Sequence, residues 1–80
     1  MKESVERLVS MANDIANYFH SEPDRTAGVE GIVNHIQRFW EPRMRKKIVA
    51  HVQDDGGEGL NELAREAIDK LAATATPTSG

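Results

Sequence analysis

The sequence predicts an all-α fold, a single small domain of four short helices with a disordered C-terminal tail. Three observations predict it. Apolar residues recur at steps of three and four in four separate stretches, the period of a helix with one buried face. Each stretch opens on a residue suited to a helix start: Ser4, Asp24 or Thr26, Pro42, and Asn61. Between the stretches stand segments that interrupt the pattern, Ser21-Glu22-Pro23-Asp24, Glu41-Pro42 and Asp54-Asp55-Gly56-Gly57-Glu58-Gly59.

Helix one is expected from about Ser4 to His20. Val5, Leu8, Ala12, Ile15 and Phe19 form its stripe, Val9 and Ala16 widen it, and Met11 and Tyr18 lie along one edge. Pro23 prevents continuation, because it cannot extend the bonding ladder. Helix two carries Val29, Ile32, Val33, Ile36, Phe39 and Trp40 within an arc of about 120°. Gly28 and Gly31 each cost roughly 1 kcal/mol in a helix interior. They leave two readings open, a close neighbour or a loose first turn. Glu41 is pushed out of the helical region by the proline after it, and Pro42 suits the first turn of helix three. That helix is expected to reach about Gln53, with Met44, Ile48, Val49 and Val52 inward and a flexible acidic turn after it. Helix four follows Asn61, buries Leu63, Ala64, Ala67, Ile68 and Leu71, and carries Glu66 and Lys70 as an outer i, i+4 pair. The domain is placed at residues 1–72 and the tail at 73–80, where the chain is small, polar and proline-containing.

Eighty residues make one domain with a marginal core. Such a core rarely supplies more than ~3–5 kcal/mol, and none of these helices is stable alone in water. With no cysteine there is neither a disulfide nor a thiolate metal site. Helix packing or a partner chain must supply the rest. The N-terminus is charged, without the apolar region of a secretory signal, and no segment approaches a membrane span. A cytoplasmic protein is expected. The net charge of −3 argues against general nucleic-acid binding. Yet Arg38, Arg43, Arg45, Lys46 and Lys47 are half of all the lysine and arginine.

Candidate chemistry is sparse. His20, His35 and His51 share no i, i+3 or i+4 spacing, so a metal site would need convergence from separate helices. His35 and His51 read as half-buried packing residues. No serine sits in a glycine-rich elbow, and the Gly56-Gly57-x-Gly59 turn lacks the Lys-Ser/Thr of a phosphate loop. On helix three Arg43, Lys46 and Lys47 read as a solvated face. Arg45 falls inside the apolar arc, where a bare guanidinium is costly to bury. It must snorkel, pair within its own chain or reach a partner. The corner Phe39, Trp40, Pro42, Arg43, Met44, Arg45 concentrates the residue types that anchor interfaces. Phe39 and Trp40 read first as core. The corner and the Met11–Tyr18 edge are the candidate partner-binding residues. No catalytic, cofactor-binding or metal residue is nominated.

The segments Arg7-Leu8-Val9-x-Met11-Ala12-Asn13-x-Ile15-Ala16 and Phe39-Trp40-x-Pro42-Arg43-Met44-Arg45 stand out, with Ile48, Gly56-Gly57-x-Gly59-Leu60, Ala67 and Leu71 after them. Through them, from Arg7 to Leu71, the chain resembles the delta subunit of the soluble, NAD-dependent, molybdenum-containing formate dehydrogenase. The resemblance implies a complex that converts formate and NAD to carbon dioxide and NADH. In that family the alpha subunit holds a bis-molybdopterin guanine dinucleotide (bis-MGD) molybdenum cofactor and iron–sulfur clusters. The beta subunit holds FMN and the NAD site, and the gamma subunit a further cluster. The delta chain would be a non-catalytic accessory subunit that supports assembly, stability or molybdenum-cofactor insertion, holding no cofactor stably itself. Its partners would be the alpha subunit and the other subunits, not nucleic acid or membrane.

Competing readings are a transient chaperone whose Arg43, Arg45, Lys46 and Lys47 meet the cofactor pyrophosphate, and a free-standing helical interaction or regulatory module. A standalone enzyme is disfavoured, since no acid–base or nucleophilic pair can be named.

Overall fold

The computed structural model describes residues 4–75. Four helices follow in order, α1 (Val5–Phe19), α2 (Arg25–Phe39), α3 (Pro42–Asp55) and α4 (Glu62–Ala75), with no strand among the described residues. The expected starts hold. The Ser4 hydroxyl accepts from the Arg7 amide, and Asp24, not Thr26, caps α2 by accepting from the Thr26 amide at 3.0 Å. Glu41 is extended (φ −72°, ψ 154°), with Pro42 in the first turn of α3. The Asn61 side chain accepts from Ala64 N–H at 2.8 Å and starts α4. Two ends run further than expected. α3 continues to Asp55, where Gly56 turns the chain in the left-handed region, and α4 continues to Ala75. Residues 73–75, assigned to the tail, are therefore helical; residues 76–80 lie outside the described residues.

α1 packs on the other three helices and so does α4, whereas α2 and α3 hardly touch. The order around the bundle is therefore α1–α2–α4–α3, and the α1/α2 and α3/α4 seams lie on opposite sides. Alanines at the centre, Ala12 and Ala16 on α1 and Ala64 and Ala67 on α4, are all buried and let this diagonal pair approach. Leu8, Ile32, Ile36, Ile48, Ile68 and Leu71 fill the space around them. All five predicted inner positions of α4 are buried.

Phe39 and Trp40 part company. α2 ends at Phe39, and Trp40 is extended (φ −91°, ψ 143°), so its side chain leaves the helical progression and enters the core at 5% exposure. Phe39 stays on the last turn and is 68% exposed, which corrects its placement in the core. It ends the row Gly31–His35–Phe39, which runs along the rim of the apolar face rather than its centre.

The glycine ambiguity resolves as close approach. A Cβ on Gly31 would lie 2.5 Å from the Phe19 ring, and one on Gly28 would lie 3.3 Å from the Phe19 carbonyl. Glu66 and Lys70 do not serve each other. Glu66 meets Arg25 at 2.7 Å, and the nearest carboxylate to Lys70 is Glu30 at 3.9 Å, so both reach across to α2. These pairs are about half exposed and add little stability each.

The α3–α4 connection is fastened rather than slack. Gly56, Gly57 and Gly59 all have positive φ. Asn13 on α1 clamps the far side, donating to the Gly59 carbonyl at 2.9 Å and accepting from Asn61 N–H at 2.8 Å. His51 Nε2 lies 2.8 Å from the Glu58 carbonyl, which can only accept, so Nε2 carries the proton. The buried His51 Nδ1 lies 3.4 Å from an Asp55 carboxylate oxygen, with no hydrogen bond between them.

Candidate partner-docking surface

Among the described residues Tyr18 and Phe39 are the exposed large hydrophobic ones, at 78% and 68%. They face one open cleft of about 520 Å³ on the α1/α2 seam, together with Asp14, Ile15, Phe19 and His35. The helices place them by simple spacing. Met11, Ile15 and Tyr18 follow one another at four and three residues along α1, and His35 and Phe39 at four along α2. Two aromatic contacts stiffen the cleft. Tyr18 meets Phe19 edge-on at 5.1 Å, and His35 lies 4.7 Å from Phe39. Met11 is half-buried against the core.

The predicted corner does not form one surface. Trp40 is committed to the core, and Met44 packs partly against it. Arg43 is exposed and pairs with Glu41 at 3.2 Å. The Arg45 Nη1 donates to the Trp40 carbonyl at 2.6 Å and approaches the Gln37 carbonyl at 3.4 Å. Its own chain thus answers the problem of a guanidinium in an apolar arc: Arg45 satisfies carbonyls at the C-terminal end of α2, the negative end of the helix dipole. Pro42 and Arg45 line a second groove on the α3/α4 seam, with Lys46, Val49, Ala50 and Leu71 among its other walls.

Sequence reasoning missed Ile15, Phe19, His35 and Asp14 as cleft residues. Periodicity places the first two in the core, and the structure leaves them half-buried. Among the described residues no three His, Cys, Asp or Glu side chains gather where they could hold a metal ion. No helix among them is long and apolar enough to cross a membrane.

Residues 7–68 match the FdsD family, described as the NADH-dependent formate dehydrogenase delta subunit. The chain belongs to the formate dehydrogenase delta-subunit family. The matched span contains the whole aromatic cleft and the α3 wall of the second groove, and it stops before Leu71 and Ala72. It also contains Asn13 and the loop that Asn13 holds. No curated protein and no solved structure matches the chain.

Proposed function

We propose that the chain is a non-catalytic accessory subunit of a cytoplasmic NAD-dependent formate dehydrogenase. It docks on the alpha subunit and supports assembly, stability or molybdenum-cofactor insertion. The observation that carries the docking role is the α1/α2 cleft, where Tyr18 and Phe39 stand out into solvent on a chain that has only four aromatic residues of the Phe, Trp and Tyr types. Aromatic anchors of this kind dominate interface energetics once a partner excludes water from them. The remaining chemistry belongs to the partners: molybdenum cofactor and iron–sulfur clusters on alpha, FMN and NAD on beta.

The test is genetic and chemical. A strain making the other subunits without this chain should yield enzyme with less molybdenum and less formate-dependent NADH formation. Supplying the wild-type chain should restore both. Tyr18→Ser with Phe39→Ser, two exposed positions, should fold normally and fail to restore. Unchanged molybdenum content, assembly and activity in the deletion strain would refute the proposal.

A further inference from the structure

We infer that the α3/α4 groove seats an acidic, apolar helical segment of the alpha subunit, on the side of the bundle opposite the aromatic cleft. The inference rests on the accessory-subunit reading and adds a second contact of defined chemistry.

The groove has a volume of about 430 Å³. Pro42, Lys46, Val49 and Gln53 recur at three and four residues, so they form a stripe on α3 beside the core stripe of Ile48 and Val52. Leu71 and Ala72 form the facing wall on α4. The floor is apolar. Among the described residues the charged lining is Arg45 and Lys46, with no carboxylate, in a chain where Asp and Glu number 13 against 10 Lys and Arg.

The cations also sit at the wrong end of their own helix. The amino end of a helix favours anions, yet the first turn of α3 holds no acidic residue. The Glu41 side chain does not cap it and turns to Arg43 instead. Lys46 is exposed and makes no ion pair among the described residues. Among the described residues Arg45 bonds only to neutral backbone carbonyls at the end of α2, so its charge and that of Lys46 are left for a partner's carboxylate to neutralise.

Size separates a helix from a small anion. From Pro42 to Gln53 the stripe runs about 16 Å at 1.5 Å per residue, three helical turns. That length takes a row of apolar anchors at i, i+4 and i+7, with an Asp or Glu at the end that meets Lys46 and Arg45.

The experiment uses the full chain and purified formate dehydrogenase made without it. Lys46→Glu should weaken binding about tenfold, because a favourable pair becomes a repulsive one. It should also flatten the dependence of affinity on salt. Its melting temperature should stay near wild type, since Lys46 is exposed and makes no ion pair among the described residues. Ala50→Trp, which fills the groove from an exposed position, should weaken binding as well. A photo-crosslinking side chain introduced at Ala50 should capture an alpha-subunit peptide that carries Asp or Glu at apolar helical spacing.

Wild-type affinity in both groove variants would overturn the inference alone. So would capture of a basic or uncharged peptide, or of a second copy of this chain. If the wild-type chain binds none of the other subunits, the accessory-subunit reading fails and the groove proposal falls with it.

Discussion

Asn13→Ala should be the most informative single change to the fold. Asn13 makes two hydrogen bonds to chain 46 and 48 residues away, donating to the Gly59 carbonyl and accepting from the Asn61 amide. It thereby ties the middle of α1 to the entry of α4. Each bond is worth about 1 kcal/mol net, so losing both costs about 2 kcal/mol. A domain of this size melts about 4–8 °C lower for each kcal/mol lost, which gives a drop of roughly 8–16 °C. Thermal and urea melts followed by far-UV circular dichroism would read it. Asn13→Asp is the control of nearly equal size. It keeps an acceptor for the Asn61 amide, loses the donor to Gly59, and sets a carboxylate against that carbonyl. It should also melt well below wild type. If Asn13→Ala melts within roughly 2 °C of wild type, the clamp contributes almost nothing and the reasoning is refuted.

Close approaches and the α2 end respond to single substitutions in distinct ways. Gly31→Ala should destabilise by about 1–3 kcal/mol in a denaturant titration, since the new methyl meets the Phe19 ring at 2.5 Å. Phe19→Leu added to it should recover part of the loss. Gly57→Ala should cost more than Gly56→Ala. Both have positive φ, but only Gly57 is crowded, with Val52 Cγ2 3.3 Å from the added carbon. The Gly56 change alone should cost about 1–2 kcal/mol by urea titration. Arg45→Glu should lower the melting temperature, because it removes the donor to the Trp40 carbonyl and sets an anion at the negative end of α2, together about 1–2 kcal/mol. An unchanged melt would show that Arg45 does not cap α2.

Much of the fold was legible because short-range rules decide it. Ser4, Asp24, Pro42 and Asn61 act through neighbours three residues away or fewer, and the α4 stripe lies at the centre of its buried face. What stayed illegible depends on where a face ends. Phe39 and Ile32 differ by only about 20° around α2, yet one is open to solvent and the other fully buried. Packing by the neighbouring helices makes that difference, and no periodicity contains it. Trp40 could not be placed by helical angle, because the helix stops one residue before it. Asn13 and the Glu66–Arg25 pair join segments more than forty residues apart, beyond the reach of any local pattern. Of the nominated contact residues, Tyr18 and Phe39 share one cleft, while Pro42 and Arg45 line another on the far side of the bundle.

The central question is whether this small chain is held by a much larger neighbour. Native mass measurement of formate dehydrogenase, purified without the chain and then mixed with an excess of it, asks that question directly. The predicted result is a gain of a whole number of 8.9 kDa chains, abolished by Tyr18→Ser with Phe39→Ser. An enzyme whose mass does not change, with the chain recovered free, would contradict it.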